Sequence, residues 1–203
     1  MESRDDSAIH HRRSIRLKGY DYGQEGAYFV TICTHNRECT FGDVDDGEMR
    51  LNDAGRTVWS VWDESPARFP GLELDAFVVM PNHVHGIIVF VGAGLALPLG
   101  IALSCQEGAA SSAPTLGDVM RAFKSLSALR VNRTMMRTGP LWQRNYYEHV
   151  IRDEDDLNRI RQYILGNPAR WEEDENHPDR LRQATCPSYR KRTMIRPKTG
   201  PTK

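Results

Sequence analysis

Residues 72–91 read LELDAFVVMPNHVHGIIVFV, and the fold turns on them. The halves Leu72–Met80 and His83–Val91 are rich in β-branched and aromatic residues, and only Pro81-Asn82 separates them. Runs so close together are antiparallel neighbours or one bent, bulged strand. Working outward, Tyr28–Thr34 has the same strand-forming mix, and a short strand lies near Met49–Leu51. Asn52 or Asp53 caps a helix reaching about Ala67, with Val58, Val61 and Trp62 at helical spacing. Thr115 opens a second helix whose Leu116, Val119, Phe123, Leu126 and Leu129 mark an apolar stripe. Leu141–Ile151 is a further strand region. Asp153 then caps a third helix running to about Gly166, which Asn167-Pro168 terminates. Helices interspersed among antiparallel strands predict an α+β sandwich, with helices packed on a sheet.

The chain has 203 residues, 39% hydrophobic and 27% charged, which suits one compact domain and excludes disordered or collagen-like classes. Its apolar runs fall short of the roughly 20 residues that a membrane-spanning helix needs. Glu2, Arg4, Asp5 and Asp6 interrupt any secretory signal, so the expectation is a cytoplasmic protein with no membrane partner. Cys33, Cys39, Cys105 and Cys186 are irregularly spaced and read as reduced thiols. The expected organisation is a basic leader (1–20), one domain (21–171) and a basic, loosely ordered tail (172–203). Within the domain, the Gly-, Ala-, Ser- and Pro-rich stretch 92–114 reads as a loop insertion.

A formal net charge of zero conceals segregation along the chain. Asp43, Asp45, Asp46 and Glu48 form an acidic group that reads as a solvated hairpin loop. Basic residues occupy the leader (Arg12, Arg13, Arg16, Lys18), the stretch from Arg121 to Arg144, and the tail. Any one such run is ordinarily a solvated face. Arg121, Lys124, Arg130, Arg133, Arg137 and Arg144 in one stretch point instead to an anion-binding surface. Beside them, Trp142, Gln143 and Arg144 are candidates for stacking on or hydrogen-bonding exposed bases, with core packing the alternative for Trp142.

His83-Val84-His85 puts two imidazoles on one face of a strand, where they can chelate one metal or form a hydrogen-bonded pair. Tyr163 and Asn167 share a helical face to one side of the core stripe Leu157, Ile160 and Ile164. The plainer reading makes Tyr163 half-buried packing and Asn167 a helix cap. Taken together, two nitrogen ligands, an amide oxygen and a phenol supply the parts for metal-assisted phosphodiester cleavage. Tyr146 and Tyr147 are rival nucleophiles, although neighbours in a strand face opposite sides and only one can enter a cleft.

These residues carry a resemblance. Arg12–Leu17, Tyr28–Thr34, Val79–His85, Leu141-Trp142-Gln143 and Tyr163–Pro168 together resemble the REP-associated tyrosine transposases, over about Arg12 to Trp171. The resemblance implies a ferredoxin-like α+β fold, an antiparallel sheet with helices packed on one face. It implies that His83, His85 and Asn167 hold a divalent metal, Mg²⁺ or Mn²⁺, and that Tyr163 is the sole nucleophile. Single-stranded and hairpin DNA are the implied partners, engaged by a monomer or homodimer. A donor set of imidazoles and an amide favours Mn²⁺ over Mg²⁺, whose abundance works the other way. The 92–114 stretch is longer than the family pattern implies. The competing functions are a non-catalytic hairpin-binding regulator and a metal phosphoesterase with a water nucleophile.

Overall fold

The computed structural model describes residues 26–91 and 114–180. The strands are β1 (Gly26–Cys33), β2 (Gly42–Asp45), β3 (Glu48–Leu51), β4 (Leu72–Met80), β5 (His83–Phe90) and β6 (Tyr147–Ile151). The helices are α1 (Asp53–Asp63), α2 (Ser65–Arg68), α3 (Leu116–Thr134) and α4 (Glu154–Leu165). The leader with Arg12, Arg13, Arg16 and Lys18, nearly all of the insertion, and residues 181–203 lie outside the described residues.

The main sheet has the order β4-β5-β1-β6 with every neighbour antiparallel. In chain order β1, α1, β4, β5, α3 and β6 make a βαββαβ unit, the ferredoxin-like α+β arrangement expected above. The strands β4 and β5 are antiparallel neighbours joined at Pro81-Asn82, with Met80 opposite His83. A register shift between Leu74 and Phe77 puts a bulge in β4 at Asp75 and Ala76. β2 and β3 form a separate hairpin across Asp46-Gly47, both with positive φ, as a tight two-residue turn requires.

Strand alternation splits the sheet into two unlike faces. On one, Tyr28, Val30, Ile32, Val84 and Ile88 meet Val58 and Trp62 of α1 and Phe123 of α3. This is the larger core, and Gly86 is part of its fit: a Cβ there would lie 2.4 Å from Trp62 Cζ2. The opposite face presents Phe29, Ile87 and Ile151 to Ile160 and Ile164 of α4. Two polar clamps hold α4 there. Arg161 meets Asp75 in the β4 bulge at 2.6 Å, and Asp156 accepts from His149 of β6 at 2.9 Å while also pairing with Arg159.

The helix caps fall where the sequence puts them, on Asn52, Thr115 and Asp153. Other expectations need adjustment. The first helix breaks at Glu64 and restarts as α2, because Pro66 has no N–H to continue the ladder. Leu129 does not join the apolar stripe and is 66% exposed. It lies six residues past Phe123, about 240° around the helix at 3.6 residues per turn. Of Leu141–Ile151 only Tyr147–Ile151 is a strand, preceded by a single bridge between Trp142 and Thr34. A loosely ordered tail from residue 172 does not describe residues 172–180. A 3₁₀ segment (Pro168–Glu173) and the turns after it fold back over the sheet, with Trp171 buried beside the ring of His83.

Candidate active site

The tip of the β4–β5 hairpin is enclosed rather than exposed. Pro81 O accepts from the backbone N–H groups of Thr40 and Phe41, and Asn82 O from the N–H and hydroxyl of Thr34. Asn82 is thereby wholly buried, and its side chain has a defined orientation. Its Nδ2 donates to Arg37 O at 3.1 Å and to Asn176 O at 2.8 Å, which leaves Oδ1 facing His83 Nδ1 at 2.9 Å. An amide oxygen only accepts, so His83 Nδ1 carries the proton and Nε2 presents a lone pair.

That lone pair points at the second imidazole: His83 Nε2 and His85 Nε2 are 3.0 Å apart. His85 Nδ1 is 2.8 Å from the Thr31 hydroxyl, directly across the β1–β5 pair. A hydroxyl both donates and accepts. When Thr31 accepts, His85 Nε2 is bare as well and the two lone pairs converge on one point. Burial, with Arg37 adding to it, pushes the His83 pKa down to about 3. Burial, followed by the neighbouring His83, holds His85 well below the usual range, with Asp174 opposing. Both rings are therefore neutral at pH 7, the state in which imidazole ligates metal.

Tyr163 reaches this pair from α4. Its hydroxyl is 3.3 Å from His85 Nε2, and its ring packs edge-on against Phe29, with centroids 6.1 Å apart. Burial raises the phenol pKa, Asp174 raises it further, and the Asn167 amide opposes both. Helical spacing between Tyr163 and Asn167 survives the end of α4, because Gly166 and Asn167 both keep right-handed helical backbone angles. Asn167 is 3% exposed, and its Oδ1 is a buried acceptor with no hydrogen-bond partner. A buried carbonyl oxygen without a partner, on the residue that hydrogen-bonds the phenol facing two neutral imidazoles, is a feature expected of a cation site. The residues present fit a divalent metal.

Tyr163 stands between two recesses. One, of about 480 Å³, is lined by Phe29, Thr31, His85, Gln143, Asn145 and Tyr147. The other, about 260 Å³, includes Asn167, Arg170, Asp174 and Asn176. Tyr147, the rival tyrosine, projects from the same sheet face, opposite Thr31 and edge-on to Phe29. Tyr146 packs against the α1–α3 core and also lines the larger recess.

The structure brings His83, His85, Tyr163 and Asn167 together, and places Gln143 at the rim. Arg144 is exposed beside it. Trp142 is a correction: it is buried between Phe41 and Phe123 and donates from Nε1 to Ser127 Oγ at 2.9 Å, so it cannot stack on a base. Lys124 donates to the carbonyls of Gln143 at 2.6 Å and Arg144 at 2.9 Å, which holds the 143–144 loop rather than leaving the ammonium free for a phosphate. Arg121 pairs with Asp118 and remains on the surface. Sequence reasoning missed Thr31, Asn82, Arg37 and the Asp174–Asn176 segment. Asn82 carried the clearest signal, an amide immediately before the histidine pair.

No family model matches the chain. An uncharacterized protein of Haemophilus influenzae is 43% identical over 186 residues, which are 88% of this chain and all of that protein. A second H. influenzae protein, one assigned by name to the REP-associated tyrosine transposases, is 24% identical over 155 residues, 74% of each chain. The solved structure of a REP-associated tyrosine transposase bound to a REP hairpin aligns with a TM-score of 0.53 at 20% identity. That alignment covers 80% of this chain and 76% of the other, and it establishes the fold. The fold is ferredoxin-like, with a histidine pair on one sheet face and a tyrosine of α4 reaching it. The chain is similar to the REP-associated tyrosine transposases in sequence and shares their fold.

Proposed function

We propose that the chain is a metal-dependent single-strand DNA endonuclease and strand transferase acting on REP-type hairpins. The observation that carries this reading is the Tyr163 hydroxyl 3.3 Å from His85 Nε2, which is itself 3.0 Å from His83 Nε2, with Asn167 hydrogen-bonded to the phenol. The Tyr163 oxygen attacks phosphorus as its proton departs. The bond to the 3′-oxygen breaks, that oxygen takes up a proton, and the DNA 5′-phosphate remains esterified to tyrosine. The ester keeps the bond energy, so a second 3′-hydroxyl can reverse the step without ATP. His83, His85 and Asn167 would hold the divalent ion, Mn²⁺ or Mg²⁺, which supplies Lewis-acid stabilisation of phosphate charge. The rings of Phe29 and His85 pack edge-on against the phenol, and Gln143 and Tyr147 line the recess available to a neighbouring base. Arg144, Arg121 and the leader residues Arg12, Arg13, Arg16 and Lys18 are the proposed phosphate contacts.

The test is incubation with labelled hairpin DNA bearing a single-stranded flank, followed by denaturing gels. Wild type should form a covalent protein–DNA adduct. Tyr163→Phe should lose at least about a thousandfold in cleavage while binding the hairpin within a few fold. An adduct retained by Tyr163→Phe and lost in Tyr147→Phe would transfer the role to Tyr147. Turnover by Tyr163→Phe without any adduct would indicate a water nucleophile.

A further inference from the structure

The donor set implied by the family resemblance is two imidazoles and one amide, but the segment after Trp171 brings in another group. The Asp174 carboxylate lies 3.9 Å from His83 Nε2, its side chain 5% exposed. The ligand atoms of His83, His85 and Asp174 all fall within 4.8 Å of one another. Asp174 faces the imidazole nitrogen that carries the lone pair, since the proton on His83 resides at Nδ1 against Asn82. It is therefore not placed to orient the ring through the opposite nitrogen, as carboxylates behind a ligating histidine do. Two electron-rich atoms facing each other in a desolvated pocket repel unless a cation lies between them.

The position is fixed by the fold. Asn176 N–H donates to Asp174 Oδ1 at 2.6 Å. Asn176 is in turn held by Asn82 Nδ2 on its carbonyl oxygen and by Arg37 on its side-chain oxygen. One buried amide, Asn82, thus sets both the His83 tautomer and the placement of the strap that carries Asp174. Metal–ligand bonds of about 2.0–2.2 Å put donor atoms at most roughly 4.4 Å apart, so a cluster whose donors lie within 4.8 Å needs to close by only tenths of an ångström around an ion.

We infer that Asp174 is an additional protein ligand of the metal, a carboxylate that joins His83, His85 and Asn167 and lowers the net charge of the centre by one. This rests on the metal-dependent reading of the site. A hard anionic oxygen strengthens binding of Mn²⁺ and Mg²⁺, for which neutral imidazoles and one amide are a weak set. It also leaves fewer positions open for phosphate oxygens.

The experiment titrates the full chain with Mn²⁺ alone, following loss of the free-ion electron paramagnetic resonance signal, and records melting curves with and without Mn²⁺. Wild type should bind one Mn²⁺. Asp174→Asn and Asp174→Ala should each weaken binding at least tenfold. Without metal, Asp174→Asn should melt at the wild-type temperature or above it, because the mutation relieves a repulsion and its Oδ1 still accepts from Asn176. A purely structural Asp174 would lower that temperature and leave Mn²⁺ affinity within twofold of wild type, which overturns the inference. If wild type binds no Mn²⁺, the inference and the metal-dependent reading fall together. If the Asp174 variants lose Mn²⁺ and no Tyr163 adduct ever forms, the ligand assignment stands and the nuclease reading falls.

Discussion

The two faces of the central sheet are built from the same strands and do opposite work. Toward α1 and α3 the strands show Tyr28, Val30, Ile32, Val84 and Ile88, closed over by Trp62 and Phe123 in a continuous apolar core. Toward α4 the same β5 shows His83 and His85, opposite Cys33 and Thr31 of β1, and the apolar cluster is small. On that side ion pairs and hydrogen bonds through Asp75, His149 and Asp156 share the task of attachment. The contrast teaches that burial on one face tolerates an unpartnered buried acceptor, Asn167 Oδ1, on the other. A buried polar atom without a partner costs about 1–3 kcal/mol, and a core of this kind can carry a few such costs.

The comparison breaks most visibly at the apolar face. Trp62→Ala should cost about 3–5 kcal/mol in urea unfolding. Gly86→Ala should cost about 1–3 kcal/mol, because its new methyl would overlap a ring stacked on Phe77. On the other face, His83→Ala and His85→Ala should each weaken Mn²⁺ binding by about tenfold or more, with Asn167→Ala the mildest of the three. The metal-free cost of His83→Ala and His85→Ala should be about 1–3 kcal/mol, less than for Trp62→Ala, since the first leaves Asn82 Oδ1 unpaired and the second loses the stack on Phe29. A loss in His85→Ala as large as in Trp62→Ala would mean that the faces are not divided in this way.

The α4 clamps sharpen the distinction between holding metal and placing the nucleophile. Arg161 precedes Tyr163 by two residues and anchors the helix to the β4 bulge. Arg161→Ala should reduce adduct formation several-fold, leave Mn²⁺ affinity within twofold, and cost at most about 1 kcal/mol in stability. Equal losses in adduct and in metal affinity would show that the clamp supports the whole site rather than Tyr163.

The smallest effect concerns Glu64, which receives Arg130 in two bonds of 2.6 and 2.9 Å between the end of α1 and α3. Hydrogen bonds from Arg130, then from Ser60, draw its carboxyl pKa down to about 2 from an ordinary 4.5. A carboxyl depressed on folding contributes its stability in full above about 4.5 and loses it as pH falls toward 2. The pair is substantially solvent-exposed, so the contribution is well under about 1 kcal/mol. Urea midpoints of wild type and Glu64→Gln should converge as pH falls from about 4.5 toward 2; a constant gap would mean that the charge pair is not the source.

Much of this was legible in the chain. The alternation of Tyr28–Thr34 and the run from His83 reveal a sheet with two faces, and the position of His83 and His85 on one side follows from a period of two. The caps at Asn52, Thr115 and Asp153 are local hydrogen-bonding preferences, readable without tertiary context. The spacing of Tyr163 and Asn167 likewise needs only helical backbone angles. The surroundings of Trp142 and Lys124 are not legible in this way. An aromatic or a cation in a basic stretch looks the same in sequence whether it meets a base, a phosphate, a core or a carbonyl.

What the sequence determined by itself are the short-range matters: where elements begin, which residues share a face, and that a histidine pair and a tyrosine–amide pair exist. Only the tertiary structure decided that these pairs meet, with Tyr163 and His85 seventy-eight positions apart and 3.3 Å between their polar atoms. It also decided that Asn82, in what reads as an exposed turn, is buried, and that Asp174 returns to His83. These are contacts across long loops. They depend on the order of strands in the sheet and on which face each helix covers, and no local preference encodes either.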